Sequence, residues 1–393
     1  MREVVIAAAV RTPIGDFLGS ISKVSAVDLG ITVTKAAVER AGISPSTVQE
    51  VVCGMVYKEG VKGNPGRQIQ IGAGLPDSGY ASTVDQQCSS SMRAVEMLSQ
   101  QILLGKTDVG IAVGVESMSS APHLLLNSRE GYRLGDVKVV DSLTYDALHC
   151  AMCGYHMGMT AENLAEKYGI SREEQDQLAV TSHTRALKAQ REGKFNDEIV
   201  PVDILGRKGQ ITTVCNDEHP REVTMDSLSK LRTAFKKDGT VTAGNASSLN
   251  DAAAAIVLMS GEAAIAAGIK PMAKIISTAS YGVDPHFMGI GPVYAIPQAL
   301  RYAGLSLEDI DYFEINEAFA AQFLACNREL GLSMDKVNAN GSGIGLGHPV
   351  GATGARIIVS LISELKRRKG RYGVASLCVG GGPAMAIVIE NLG

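Results

Sequence analysis

The chain has 393 residues, of which 45% are hydrophobic and 20% charged, with a formal net charge of -4. That length exceeds one ordinary core, so two or three domains are expected, and the composition carries no disorder signature. No overall basic excess points to nucleic acid as a partner, and no apolar run reaches the ~18 residues that a membrane span needs.

Met1-Arg2-Glu3 leads directly into the apolar run Val4 to Val10, which reads as a buried strand rather than a secretory signal. The 7 cysteines are odd in number and scattered, as expected of reduced thiols in a cytoplasmic protein. A helical run at 27–41 (Leu29, Val33, Ala36, Ala37) stops at Gly42, and a strand-like run follows from Val48 to Val56. After the Cys88 region comes another strand, Asp108 to Gly114. Such alternation predicts an α/β protein with a mostly parallel sheet.

Cys88 follows a polar run and precedes Ser89, Ser90 and Ser91. Met92, Val95, Leu98 and Ile102 then recur at helical spacing. Cys88 therefore lies at or just before a helix N-terminus, where unpaired N–H groups and the helix dipole favour a thiolate nucleophile. The other reading is a small buried residue at a tight strand-to-helix turn.

From about 121 to 249 the texture changes. His123 to Leu148 is polar and weakly periodic, and reads as an extended excursion with little core of its own. Ser171-Arg172-Glu173-Glu174 has capping-box spacing ahead of a helix. Residues 206–240 carry a mild basic excess that includes Arg207, Lys208 and Arg221. It reads as a solvated face or as a site for a phosphorylated ligand. The small residues of Ala243 to Asn250 would let a backbone and a ligand come close.

The stretch from about 271 repeats the first. Ala41-Gly42-Ile43-Ser44 with Val51 to Gly54 matches Ala303-Gly304-Leu305-Ser306 with Phe313 to Asn316 at an offset of 262. Cys88, its helix and Val109 to Ser117 match His348, the run Ala355 to Leu365 and Tyr372 to Gly380. This is a duplicated domain, and it places Cys88 and His348 on equivalent loops that open toward a shared cleft. His348 sits among 6 glycines between Gly341 and Ala355, too many for a stable helix or strand, so a loop held close to its surroundings is expected. A histidine there can serve as the base a cysteine nucleophile needs, or as a structural hydrogen-bonder. Cys378 ends a strand ahead of Gly380-Gly381-Gly382, whose free N–H groups suit an oxyanion, and Asn316 ends the strand from Tyr312.

Cys88-Ser89-Ser90, Asn316-Glu317-Ala318-Phe319, Gly347-His348-Pro349 with Gly354-Ala355-Arg356, and Cys378 with its triple glycine resemble the thiolase family. Arg11-Thr12-Pro13, Glu116-Ser117-Met118-Ser119, Met159 to Asn163 and Thr242 to Ser247 extend the resemblance end to end. The resemblance implies two α/β halves in a five-layer α-β-α-β-α core, 1–120 plus 250–270 and 271–393, with an inserted loop domain at 121–249. It implies condensation of two acetyl-CoA to acetoacetyl-CoA and CoA, or the reverse cleavage. Cys88 would be acylated, His348 would take its proton, and Cys378 would remove the α-proton of the second acetyl-CoA. Asn316 and His348 would hold the enolate oxygen, and the N–H groups of Cys88 and Gly380 the tetrahedral intermediate. Coenzyme A contacts are implied at His156, Arg221, Ser227, Phe235, Ala243, Ser247 and Phe319, and an acyl pocket walled by Met157 and Met288. No cofactor or metal is implied beyond the thioester substrates. A homodimer or homotetramer is, with 121–148 as a contact arm.

Asp85, Ser91, Met92, Ser342, Gly345 and Pro383-Ala384 depart from the usual family residues, Asp85 standing where an asparagine is common. Three other readings stay open. They are a degradative 3-ketoacyl-CoA thiolase of broader chain length, a non-catalytic acyl-CoA binding protein, and a redox or metal protein using Cys150-Ala151-Met152-Cys153.

Overall fold

The computed structural model describes residues 2–206 and 209–393, so Arg207 and Lys208 of the basic stretch lie outside it. The first half of the chain supplies β1 (Val4–Arg11), α1 (Ala26–Ala41), β2 (Glu50–Gly54), α2 (Pro65–Gly72), β3 (Tyr80–Val84), α3 (Ser90–Leu103) and β4 (Val109–Ser117). The excursion carries α4 (Met157–Tyr168) and α5 (Arg172–Arg191), and the chain then returns as β5 (Asn250–Ser260). The second half repeats the plan with β6 (Ala273–Gly282), α6 (Pro292–Ala303), β7 (Tyr312–Ile315), α7 (Ala320–Leu330), α8 (Val350–Arg368), β8 (Tyr372–Cys378) and β9 (Pro383–Asn391).

Strand order shows the duplication. The first half runs β3-β2-β4-β5-β1 and the second β7-β8-β9-β6. A lone parallel bridge between Phe313 and Val337 marks the place that β3 fills in the first half. The half-sheets meet where β1 pairs antiparallel with β6, Val4 opposite Ile275 and Ile6 opposite Ala273. The sheet is mixed, contrary to the expectation of a mostly parallel one. Among the strands of the described residues, β2 with β3 and β4, and β7 with β8, run parallel, and the other pairs run antiparallel. The reason is β5, which comes back from the excursion and slots antiparallel between β1 and β4, and its counterpart β9, antiparallel between β8 and β6.

Five layers follow from alternation along the strands. On β5, Ala253, Ala255 and Val257 face α1 through Leu29, Val33 and Ala37. Ala254, Ile256 and Leu258 face the opposite way, onto Met92, Val95 and Leu98 of α3 and Ile358 and Leu361 of α8. The outer layer of the second half packs Ala295, Ile296 and Ala299 of α6 on Phe313, Val374 and Val388. Each such fully buried leucine or isoleucine contributes about 1.5–3 kcal/mol relative to exposure.

The central layer corrects one expectation. Gly351 and Gly354 lie inside α8 and not in a loop, and Gly343–Leu346 makes a helical turn of its own. Tertiary contact overrides the weak propensity of glycine. A Cβ on Gly354 would come 2.5 Å from the backbone N of Met92, so α3 and α8 touch backbone to backbone. Ser91 Oγ accepts the Ala355 N–H at 2.8 Å across the same crossing.

The excursion is anchored at the end of β1. Arg11 is fully buried and binds Asp217 through two nitrogens, at 2.7 and 3.0 Å, and Glu198 at 3.0 Å. The expected capping box forms at the head of α5, with Ser171 and Glu174 each satisfying the other's backbone N–H.

Candidate active site

The two loops made equivalent by the duplication open into one cavity. Its volume is about 450 Å³, and Cys88, His348, Cys378 and Gly380 all line it. The cavity lies where the N-termini of α3 and α8 meet the end of β8.

The Cys88 turn is stitched by hydroxyls. Gln87 adopts the left-handed conformation, φ +48°, just before the cysteine. Asp85 Oδ1 accepts the Gln87 N–H at 2.9 Å, Ser90 Oγ accepts the Gln86 N–H at 2.9 Å, and Ser89 Oγ donates to Gln86 O at 3.0 Å. The sequence predicts a stabilised thiolate here, and the structure places a thiol. Burial pushes Cys88 up to about 11, against the N–H groups of Gly380 and of Cys88 itself, which favour the anion. A cysteine in that state needs a base.

His348 lines the same cavity and is uncharged. It is buried, and burial together with the nearby Arg356 cation pushes it down to about 3, so the imidazole is neutral. Its Nδ1 lies 2.7 Å from Thr353 Oγ1, and that hydroxyl gives its own proton to Pro349 O at 2.9 Å. Thr353 is then an acceptor toward the ring, which puts the proton on Nδ1 and the free lone pair on Nε2. Asn250 Oδ1 accepts the His348 N–H at 2.9 Å and fixes the loop from β5.

Cys378 is buried at the end of β8. Burial and the neighbouring Cys88 hold it far above the ordinary thiol range, as a thiol. Asn316 lies just past β7 and does not line the cavity itself. Its Nδ2 stands 3.4 Å from His348 Nε2, and its buried Oδ1 has no protein hydrogen-bond partner.

The expected coenzyme A residues divide. His156, Met157, Phe235, Ala243, Ser247, Met288 and Phe319 line the cavity. His156 caps α4, its Nδ1 accepting the Gly158 N–H at 3.0 Å, and its ring stacks on Phe235 at 4.6 Å. Phe235 in turn meets Phe319 edge-on at 6.2 Å. Arg221 and Ser227 stand away from the cavity wall. Arg221 is exposed with its guanidinium on the His219 ring, and Ser227 is exposed and closes a capping box with Thr224.

Sequence reading missed Thr353, Asn250 and the cavity-lining Gln87. Thr353 lies one helical turn beyond Pro349, a spacing that could have flagged it. Asn250 is remote in sequence and left no signal. The Cys150–Cys153 pair folds into a tight turn in which the Cys153 N–H donates to Cys150 Sγ at 3.4 Å. Burial and Cys150 push the Cys153 thiol up to about 11. Among the described residues, no three histidine, cysteine or acidic side chains converge as a metal-binding group. No helix among them is long and apolar enough to cross a membrane.

Comparison with known proteins bears on the family and the fold. An acetyl-CoA acetyltransferase of Chromobacterium violaceum is 51% identical over 99% of this chain and 100% of its own length. The crystal structure of the Bacillus anthracis acetyl-CoA acetyltransferase superposes with a TM-score of 0.98 at 50% identity, covering 100% of this chain and 99% of that one. Human mitochondrial 3-ketoacyl-CoA thiolase superposes with a TM-score of 0.97 at 42% identity, covering 100% of this chain and 99% of that one. The family profiles "Thiolase, N-terminal domain" and "Thiolase, C-terminal domain" match residues 4–262 and 269–391, one on each half. A chain that matches both profiles in order, and folds as their members do along its whole length, belongs to the thiolase family.

Proposed function

We propose that this chain is an acetyl-CoA C-acetyltransferase, joining two acetyl-CoA into acetoacetyl-CoA and CoA through an acetyl-Cys88 intermediate. The observation that carries the reading is the convergence of Cys88, His348 and Cys378 on one cavity. Coenzyme A thioesters are the substrates, and no resident cofactor enters the chemistry.

The proton inventory fits two half-reactions. In the first, His348 Nε2 takes the Cys88 proton as the sulfur attacks the acetyl carbonyl. The N–H groups of Cys88 and Gly380 face the developing oxyanion. Cys378 rests as a thiol. It gives its proton to the departing CoA sulfur, leaving acetyl-Cys88, a Cys378 thiolate and an imidazolium. In the second, that thiolate removes the α-proton of the next acetyl-CoA. The enolate oxygen is held by His348 with Asn316 behind it, and the enolate carbon attacks acetyl-Cys88. The Cys88 sulfur leaves and recovers its proton from His348, so every group returns to its starting state.

We assign residues 121–249 to coenzyme A contacts and to subunit assembly as a homodimer or homotetramer, and the protein to the cytoplasm. Brief exposure to acetyl-CoA followed by peptide mass spectrometry tests the reading. It expects one acetyl group, on Cys88; no acetyl group, or one that persists in Cys88→Ala, overturns it.

One observation favours a second reading, a thiolase of broader chain length. A neighbouring chamber of about 490 Å³ shares Gln87, Ala147, Met157 and Gly380 with the active-site cavity. Room beyond Met157 would suit a longer 3-ketoacyl chain. Cleavage rates across a chain-length series decide between the two.

A further inference from the structure

We propose that Lys58 and Asp85 are positioning residues, the first links of a polar strap that holds the Cys88 turn in register with the His348 loop across the two halves. The proposal rests on the acyl-Cys88 reading above and extends it to residues outside the cavity.

The strap can be followed atom by atom. Gln87 needs support, because the left-handed conformation costs a non-glycine residue roughly 1–2 kcal/mol. Asp85 Oδ1 supplies it by accepting the Gln87 N–H at 2.9 Å. The other oxygen, Oδ2, receives Lys58 Nζ at 2.6 Å. The same ammonium donates to Val56 O at 3.0 Å and Met55 O at 3.4 Å, the segment just after β2. That segment is gripped in turn by Glu116, whose two oxygens accept the Val56 and Tyr57 N–H groups at 3.1 Å each. Glu116 Oε2 also accepts the Gly351 N–H at 2.8 Å, in the first turn of α8 and three residues beyond His348. One run of hydrogen bonds therefore passes from the nucleophile turn to the base loop, and from one half of the molecule to the other.

Stability alone does not account for the Lys58–Asp85 link. The two side chains are 37% and 38% exposed, and ion pairs in that setting contribute little to folding. Its distinctive feature is where it pulls, on a strained peptide next to the nucleophile. Asp85→Asn would keep an acceptor for the Gln87 N–H and lose the charge that holds Lys58, so that variant separates the two roles of this side chain.

The test is single-turnover acetylation of Cys88 by labelled acetyl-CoA, on the full chain and on Lys58→Met, Lys58→Arg, Asp85→Asn and Asp85→Ala. Lys58→Met and Asp85→Ala are expected to slow acetylation roughly five- to twentyfold, since small misplacements of a reacting group are costly. Half-saturation by acetyl-CoA should stay at the parent value, and the thermal midpoint of Lys58→Met should too. Asp85→Asn should fall between Asp85→Ala and parent, Lys58→Arg should restore the rate, and the double variant Lys58→Met/Asp85→Ala should be no slower than Asp85→Ala alone. Acetylation of Lys58→Met at the parent rate overturns the proposal, as does a loss seen only in half-saturation or in the thermal midpoint. Lys58 is partly exposed and its replacement leaves the core intact, so that variant decides even if Asp85→Ala fails to fold. Failure of the parent chain to take an acetyl group on Cys88 is a different result, and it overturns the nucleophile assignment itself.

Discussion

The Cys88 turn and the His348 loop occupy the same place in two copies of one fold, yet they are built in opposite ways. The first is short, strained at Gln87, tied by side-chain oxygens and partly open to the cavity. The second is buried among glycines, with its ring orientation set by Thr353 and its backbone by Asn250. Burial acts on both in the direction of the neutral form, raising the thiol to about 11 and lowering the imidazole to about 3. The pair thus rests uncharged, and in the proposed reaction the proton moves when a thioester carbonyl brings charge for the N–H groups to hold. A duplicated scaffold gives proximity; the different surroundings of the two copies give each residue its task.

The comparison can be broken most severely at the nucleophile. Cys88→Ala should lower condensation by at least about 10³-fold with an unchanged thermal midpoint, read by acetoacetyl-CoA formation. His348→Asn should cost about 10²–10⁴-fold in acetylation of Cys88. The same variant carries a stability signature. His348 ordinarily titrates near 6.5 and does so near 3 when folded, so between those values the unfolded chain binds the extra proton. Stability therefore rises with pH across that window and is lost as pH falls through it. His348→Asn should flatten the dependence by one proton in urea unfolding measured from pH 3 to 6.5, and an unchanged slope would contradict a buried neutral ring.

Smaller effects sharpen the contrast. Thr353→Val removes the acceptor for Nδ1–H and frees the ring to take the wrong tautomer, with an expected loss of ~10- to 100-fold in kcat and little change in KM. Thr353→Ser should recover most of it. Gly354→Val should force α3 and α8 apart, at a cost of about 1–3 kcal/mol in unfolding free energy. A variant as stable as the parent would show that the helix crossing is looser than the contact implies.

Much of the fold was legible because duplication writes itself into the order of elements. The apolar spacing of Met92, Val95, Leu98 and Ile102 marked α3, and all four are fully buried. Gly42 marked the end of α1 and sits there at φ +67°. Strand direction was not legible, since nothing within residues 250–260 says that they return antiparallel between β1 and β4. Gly351 and Gly354 misled for a related reason. Their propensity is local, and the close contact that makes glycine necessary in α8 comes from Met92, more than 250 residues away.

The sequence by itself determined the reactive groups, because cysteine, histidine and a glycine-flanked second cysteine are chemical identities that no fold can supply. It also determined that the elements before and after the excursion repeat, because the order of elements survives in the order of residues. Tertiary structure alone decided protonation and aim. The proton on His348 Nδ1, the raised thiols and the strap from Gln87 to Gly351 depend on burial and on partners distant in the chain, and those exist only once the two halves are packed together.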